Sequence, residues 1–351
     1  MAKTIVLFST KGGVGKTLIA TNMAVSLAKD HAKRVLVVDL DLQVVGDMAR
    51  MLDLEPQKAL VDWINLLKKQ PEGLKKDNFI VKSPLGLDFL TGVLRPQQSP
   101  HLDADSLKAV FAELDKDYDY IIIDAGQSFS DVFLAVLNQA NLMLLVVTPD
   151  ILSIYQTKWT LDTLQFLHFP LKMIKIVLNR AESASSISWQ EVRVSLPAEI
   201  ICLIPSEGKI AGLAVNRGIP MVIDNPRTKI SLAIKKFSQK LATDEGLFIP
   251  HKDIDEIRLK EATIEKPQAF WQSQGLTEQL AEPQELEQAD EIVLLKQRIH
   301  NKLIESLNLK RLDLKIFTDR NKTKALKDKA EIMVANFLAE EAGSFIPSQE
   351  V

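Results

Sequence analysis

The chain has 351 residues, of which 46% are hydrophobic and 25% are charged, and its net charge is −3 at pH 7. This composition is that of an ordinary globular protein and excludes a collagen-like or low-complexity chain. The single cysteine excludes a disulfide scaffold, and Cys202 lies in an apolar run that predicts a buried thiol in a reducing compartment. No run reaches the roughly 20 apolar residues of a membrane helix, and the N-terminus lacks a cleavable signal pattern, so we expect a cytoplasmic protein without a transmembrane segment.

Short β-branched runs alternate with longer amphipathic stretches through residues 1–243, which is typical of βαβ units on a parallel sheet. Several runs are continuously apolar, as expected for strands that helices cover on both faces. We predict seven strands, at residues 4–9, 34–39, 87–91, 120–124, 142–148, 173–179 and 200–205. The clearest helices are predicted at residues 17–29, 104–114, 133–139, 153–167 and 229–241. The fold class is therefore α/β, with a doubly wound, mostly parallel sheet of about seven strands.

The character of the sequence changes after residue 243. Residues 244–291 contain thirteen acidic and four basic side chains and three prolines, which predicts an acidic flexible linker over residues 244–290. Apolar residues then recur at three- and four-residue spacings, which predicts a small helical module over residues 291–351. A module of about 60 residues is near the lower size limit for an independent core, so docking onto a partner is expected.

The strongest motif is KGGVGKT at residues 11–17, directly between the first predicted strand and the first predicted helix. Its glycines let the backbone N–H groups point at phosphate oxygens, and the helix N-terminus adds partial positive charge. In such a loop Lys16 neutralises the β- and γ-phosphates and the Thr17 hydroxyl ligates Mg²⁺. The alternative is a glycine-rich turn that binds nothing. The nucleotide-binding residues predicted in the loop are Lys11, Gly12, Gly13, Val14, Gly15, Lys16 and Thr17.

The loop departs from the usual phosphate-loop spacing, because Thr10 stands where the first glycine is expected and Lys11 follows it. STKGGVGKT, at residues 9–17, resembles the deviant P-loop of the ParA/MinD ATPases. The resemblance spans residues 1 to about 242 and implies ATP and Mg²⁺ as cofactors. It also implies that Lys11 is the signature lysine, which reaches across an ATP-bound homodimer to the partner's phosphates. The alternative for Lys11 is a solvated loop lysine.

Two aspartates follow the second predicted strand. Asp39 and Asp41 are two residues apart, so both side chains leave the same face at the carboxyl end, where open α/β sheets bind ligands. The stretch is similar to the family's switch I segment. That similarity implies that Asp41 orients or deprotonates the attacking water, with Lys11 and Lys16 as the other catalytic residues, and that Asp39 lies near the Mg²⁺. The alternative is that both aspartates cap the following helix.

The predicted strand at residues 120–124 has the form of a Walker B strand, whose final Asp124 holds Mg²⁺ beside Thr17. Many ParA/MinD relatives place prolines directly after this aspartate, whereas Ala125 and Gly126 follow it here. Gly126 is expected to supply flexibility for sensing the γ-phosphate. Gln127 and Ser128 come next, and no role is predicted for either.

The last two predicted strands end in residues that the resemblance places around the adenine. Asn179 can donate and accept hydrogen bonds simultaneously, as the purine edge requires, and Pro205 offers a flat apolar wall. An asparagine at a strand end is also a common turn residue. Asn179 and Pro205 are therefore the predicted base pocket.

The flanking segments indicate which branch of the family is present. Residues 38–48, 128–131 and 216–218 resemble the TadZ/CpaE branch, which supports Tad/Flp pilus assembly, and residues of about 290–345 resemble the N-terminal part of a CpaF/TadA-type secretion ATPase. The implied partners are a pilus or secretion assembly ATPase or platform proteins, with recruitment to the inner face of the membrane or a cell pole.

Three other interpretations stay open. A ParA-type partitioning ATPase would bind DNA nonspecifically, with Lys235, Lys236 and Lys240 contributing, although the overall charge does not favour this. A MinD-like membrane shuttle would end in a basic amphipathic helix. A nucleotide-bound scaffold would show no turnover.

Overall fold

Eight strands form one sheet in the computed structural model, which describes residues 2–69, 76–182, 187–250 and 253–254. In chain order the strands are β1 (Lys3–Phe8), β2 (Val35–Asp39), β3 (Val81–Lys82), β4 (Asp88–Thr91), β5 (Tyr120–Asp124), β6 (Leu142–Val147), β7 (Ile174–Asn179) and β8 (Glu199–Ile204). In space their order is β3-β4-β2-β5-β1-β6-β7-β8. Neighbouring strands are parallel, except that β3 and β4 are antiparallel.

Helices cover both faces of this sheet. Within the described ranges the α-helices are α1 (Lys16–His31), α2 (Asp47–Met51), α3 (Leu60–Lys69), α4 (Ala104–Leu114), α5 (Asp131–Leu137), α6 (Ile151–Phe166), α7 (Trp189–Ser195), α8 (Gly208–Arg217), α9 (Met221–Asp224) and α10 (Lys229–Thr243). Residues of α1 and α10 share one buried cluster with one face of the sheet, and residues of α3 to α6 share a second cluster with the other face. No helix in the described ranges is long and apolar enough to cross a membrane.

The predicted fold class is confirmed, with one correction to the strand count. The sheet has eight strands rather than seven. The strand that the sequence did not predict is β3, which has only two residues and pairs antiparallel at the edge of the sheet. A two-residue strand is too short for an alternating pattern to show, since the shortest recognisable runs have about four residues.

The central strands are buried on both faces, which explains their unbroken apolar sequence. In β5, Ile121 and Ile123 belong to the cluster on one face of the sheet, and Ile122 belongs to the cluster on the other. All three side chains are inaccessible or nearly so. β5 lies between β1 and β2, and Asp124 at its end is in register with Asp39 at the end of β2. The fold therefore places these two acidic side chains on adjacent strands at the carboxyl edge of the sheet.

The strand order reverses at β1. From β1 the chain goes first to β2, on the β5 side, and later to β6, on the opposite side. Open α/β sheets bind ligands at the carboxyl ends of the strands at such a point. The loop that follows β1 lies at this position.

The segment after α10 packs at the other end of the sheet. The Asn141 side chain accepts the Thr4 N–H at 2.9 Å and donates to the Ile249 carbonyl at 3.1 Å, and Leu247 is buried. The rest of the predicted linker over 244–290, from residue 255 on, and the predicted helical module over 291–351 lie outside the described residues. The boundaries of the predicted domains stay predictions.

Candidate nucleotide-binding site

The loop between β1 and α1 has the backbone of a phosphate-binding loop. Gly13 and Gly15 have φ angles of 71° and 97°, in the left-handed region that favours glycine. Gly15 is also the N-cap of α1, and a Cβ added there would lie 2.6 Å from the Asn179 amide nitrogen. Glycine is therefore required at position 15 for both its conformation and its lack of a side chain.

The loop leads into a charged side chain that is almost fully buried. Lys16 is the first residue of α1 and is only 6% exposed, and its charge acts on Asp124. Burial of a lysine is costly unless opposite charge compensates it. Lys16 at the N-terminus of a 16-residue helix, with the glycine amides before it, provides the positive environment that binds a phosphate.

The two residues predicted to lie beside the magnesium are in direct contact. The Thr17 hydroxyl donates to Asp124 Oδ2 at 2.5 Å, and the Gly126 N–H donates to Asp124 Oδ1 at 3.2 Å. Asp39 is buried on the neighbouring strand and accepts the Asp41 N–H at 3.2 Å. The structure therefore brings Thr17, Asp39 and Asp124 together as the sequence predicts.

The acidic pair has the chemistry of a cation site. Burial raises the pKa of Asp39 well above its ordinary value, and the charge of Asp124 adds to the rise. Burial also raises the pKa of Asp124, although the hydrogen bond from Thr17 and the charge of Lys16 act to lower it. Since neighbouring carboxylates are costly to ionise together, a divalent cation relieves the cost. These oxygen donors fit Mg²⁺, which takes one or two carboxylates and completes its shell with phosphate and water.

Asp41, the predicted catalytic aspartate, lies in the turn after β2. Its Oδ1 accepts the N–H groups of Gln43 and Val44 at 3.2 and 3.3 Å. It does not cap a helix, because α2 begins at Asp47 and its N-cap is a glycine. Asp41 also contacts Gly126, where an added Cβ would lie 3.2 Å from the Asp41 carboxyl carbon. The segments after β2 and β5 therefore touch each other beside the phosphate loop.

Lys11, the predicted signature lysine, is bound within its own chain. Its Nζ lies 2.7 and 2.8 Å from the two carboxylate oxygens of Asp150, the N-cap of α6. Asp150 also accepts hydrogen bonds from the Thr148 hydroxyl at 2.7 Å and from the Ser153 N–H at 3.0 Å. Burial acts to raise the pKa of Asp150, but the hydrogen bonds from Lys11, Thr148 and Ser153 outweigh it and lower the pKa. Lys11 is therefore a paired and partly exposed side chain in this conformation.

The predicted base pocket has a second role in the structure. The Asn179 amide donates to the Val14 carbonyl of the phosphate loop at 2.8 Å and accepts the Arg180 N–H at 2.9 Å, so both of its polar atoms are bound to backbone groups. Arg180 itself donates to the Gly13 carbonyl at 3.1 Å, a contact that the sequence did not suggest. Pro205 follows β8 and is partly exposed. Binding of adenine by Asn179 and Pro205 stays a prediction.

Three polar side chains that the sequence left without a role lie at the same edge. The Gln127 amide donates to Gln43 Oε1 at 2.9 Å, and the Gln43 amide donates to the Ser128 hydroxyl at 2.7 Å. With Asp41 and Gly126 they line a cavity of about 430 Å³. The only signal in the sequence was their position a few residues after the predicted acidic strand ends. The fold and this edge define a P-loop nucleotide-binding protein with a mostly parallel α/β sheet.

Comparisons with known proteins agree with that class. Residues 2–173 match the AAA_31 family model, described as an AAA domain. The septum site-determining protein MinD of Thermotoga maritima is 26% identical over 247 residues, which cover 69% of this chain and 88% of the relative.

Two solved structures are similar in fold. The ParA family ATPase from Chlorobium tepidum has a TM-score of 0.63 at 24% identity and covers 68% of this chain and 98% of its own. MinD from Pyrococcus horikoshii, complexed with Mg-ADP, has a TM-score of 0.59 at 23% identity, with coverage of 70% and 97%. This chain is therefore similar in sequence to MinD proteins and similar in fold to solved ParA and MinD structures.

The geometry of Gly15 predicts that Gly15→Ala abolishes nucleotide binding, since the new methyl group meets Asn179 and strains the loop. Gly86→Ala is the matched control, because Gly86 also has a positive φ, 82°, but has no atom within 4 Å of an added Cβ. Both variants incur a backbone cost of about 1–2 kcal/mol. Titration with a fluorescent ATP analogue and Mg²⁺ checks this. Equal affinities in the two variants would contradict the described loop.

Proposed function

We propose that this chain is a Mg-ATP-dependent positional switch. In this proposal it binds Mg-ATP, forms an ATP-dependent sandwich homodimer, and hydrolyses ATP slowly to ADP and phosphate. The observation that carries the proposal is the lysine at position 11, placed beside the phosphate loop and paired with Asp150 of its own chain. ParA/MinD family members are ATPases, and the related MinD from Pyrococcus horikoshii is complexed with Mg-ADP.

The proposed roles follow from the positions of the side chains. Lys16 and the amides of the glycine loop bind the β- and γ-phosphates, and Thr17, Asp39 and Asp124 hold the Mg²⁺, with Asp124 acting through water. The bound Mg²⁺ supplies charge neutralisation for the phosphates. Asp41 is partly exposed on the cavity at this edge, where its carboxylate orients the attacking water and accepts its proton.

Lys11 links the nucleotide to assembly through a competition between anions. An ammonium group forms its strongest contacts with the nearest anion, and in this conformation that anion is Asp150, at 2.7 Å. A triphosphate brought close by a second subunit carries more negative charge than a single carboxylate. Exchange of Asp150 for the partner's phosphates is therefore favoured only when the γ-phosphate is present, which makes dimerisation depend on ATP.

The surface beside Lys11 is suited to a partner. Ile151, Leu152 and Tyr155, in the first turns of α6 directly after Asp150, are 69%, 63% and 73% exposed. Contiguous exposed apolar side chains of this size mark protein interfaces. In the proposed dimer this surface is covered by the second subunit together with Lys11.

The client in this proposal is a pilus or secretion assembly machine of the Tad/Flp type. Its support is the sequence resemblance to the TadZ/CpaE branch and, for residues of about 290–345, to a CpaF/TadA-type ATPase. These partners would recruit the cytoplasmic protein to the membrane or a cell pole.

A DNA-partitioning function is not favoured. Residues 1–243 contain 28 basic and 25 acidic side chains, which is too balanced for a strong phosphate-binding surface. One of the candidate lysines, Lys235, is paired with Asp30 at 3.2 Å.

Three variants separate the proposed steps. Lys16→Ala should lose nucleotide binding because it removes the buried cation at the phosphates. Lys11→Ala should bind Mg-ATP within about threefold of the wild type but stay monomeric, since it loses only the contact in trans. Asp41→Ala should bind, dimerise and stay dimeric because it cannot turn over. Nucleotide titration, light scattering and phosphate release measure the three properties. A Lys11→Ala protein that dimerises normally with Mg-ATP would refute the proposed role of Lys11.

The apolar surface gives a separate prediction. Tyr155→Lys should weaken the ATP-dependent dimer at least tenfold, because it puts a charge in the centre of the proposed contact. Leu232→Lys is the control, since Leu232 is an exposed apolar residue on α10, 53% accessible, away from the loop. Sedimentation equilibrium with Mg-ATP gives both dimer constants. If the two substitutions weaken the dimer equally, or neither does, α6 is not part of the interface.

A further inference from the structure

A chain of side-chain hydrogen bonds joins the two acidic segments of the site. The Gln127 amide donates to Gln43 Oε1 at 2.9 Å, and the Gln43 amide donates onward to the Ser128 hydroxyl at 2.7 Å. Gln43 lies two residues beyond Asp41, and Gln127 lies three residues beyond Asp124. We call this pair of glutamines the amide bridge.

The amide bridge also reaches the phosphate loop. Gln127 Oε1 lies against Gly12, where an added Cβ would be only 2.9 Å from it. The bridge therefore connects three segments: the glycine loop, the turn after β2 and the turn after β5. In a P-loop nucleotide-binding protein these three segments surround the terminal phosphate.

The chemistry of a glutamine suits this place. A neutral amide donates through its nitrogen and accepts through its oxygen, so one side chain can donate to a phosphate oxygen and accept from a water molecule. Gln127 follows Gly126, whose φ of 69° and contact with Asp41 place the next residue beside the predicted catalytic aspartate. A carboxylate at position 127 would have the same shape but would repel a phosphate.

We propose that Gln127 is a positioning residue that distinguishes ATP from ADP. In this structure its amide donates to Gln43 Oε1. With ATP it exchanges Gln43 for the γ-phosphate and the adjacent water, which it orients for Asp41. This inference rests on the proposed ATPase function, and it adds a residue that contacts the terminal phosphate.

An aromatic contact lies between the segment that contains Gln127 and the exposed surface of α6. Phe129, two residues after Gln127, packs edge-on against Trp159 of α6, with ring centroids 5.5 Å apart. Trp159 is 52% exposed and lies one turn beyond Tyr155 on the apolar surface of α6. We therefore expect a movement at Gln127 to alter the surroundings of this partly exposed tryptophan, whose fluorescence can be followed without turnover.

The test compares the affinities of ADP and a non-hydrolysable ATP analogue, each with Mg²⁺, in the full-length chain. Gln127→Glu should lower the affinity for the ATP analogue at least tenfold and change the ADP affinity by less than twofold, because only the terminal phosphate meets the new charge. Gln57→Glu is the matched control, since Gln57 is an exposed glutamine whose amide contacts only the nearby Glu55 carbonyl among its described contacts. It should leave both affinities unchanged.

Two further measurements exclude a merely structural effect. Trp159 fluorescence, isolated by subtracting the Trp159→Phe spectrum, should respond to the ATP analogue in the wild type and not in Gln127→Glu. Gln43→Ala should strengthen ATP-analogue binding when Gln127 is present, because it frees the Gln127 amide for the terminal phosphate, and it should have no effect in Gln127→Ala, as a double-mutant cycle measures.

The outcomes separate this inference from the proposal on which it rests. Equal losses for ADP and the ATP analogue in Gln127→Glu, or no loss for either, would overturn the role of Gln127 while the wild type still binds both nucleotides. A wild type that binds neither nucleotide would overturn the proposed function as well.

Discussion

Lys11 can neutralise one anion fully at a time, and this constraint connects the parts of the proposed switch. In the structure its ammonium group contacts both carboxylate oxygens of Asp150, and Asp150 in turn caps α6. The pair is partly exposed, so water and salt weaken it, and an ion pair of this kind contributes about 1 kcal/mol or less. A contact this weak holds Lys11 in place without preventing its transfer to a more strongly charged partner.

The rest of the site has the charges that bind Mg-ATP, whose triphosphate is the more strongly charged anion in this proposal. The glycine loop and the buried Lys16 provide positive charge for a phosphate, whereas Asp39 and Asp124 provide the negative charge that suits Mg²⁺. Burying either the positive charge or the two carboxylates without a partner costs free energy, and bound Mg-ATP compensates both costs. The same nucleotide binding that relieves these costs brings the terminal phosphate to the segments that contain Asp41 and Gln127, beside Lys11 and α6.

Much of this arrangement could be predicted from the sequence because it depends on backbone geometry. Parallel strands meet at their carboxyl ends, so the loop after β1 and the aspartates after β2 and β5 had to converge. The contacts Lys11 to Asp150 and Gln127 to Gln43 span 139 and 84 residues and depend on side-chain rotamers, which no periodicity specifies. The same holds for Asn179, whose strand-end position was evident but whose bond to Val14 was not. The two-residue strand β3 was missed because it is too short to form a pattern.

The most direct test of the central claim is a crystal structure of Asp41→Ala with Mg-ATP, in which hydrolysis cannot empty the site. The account predicts a face-to-face dimer in which the Lys11 ammonium group has left Asp150 and contacts the phosphates bound to the other subunit. A structure with Mg-ATP bound and Lys11 still paired with Asp150 of its own chain, with no second subunit across the loop, would contradict the switch and leave the nucleotide as a structural ligand.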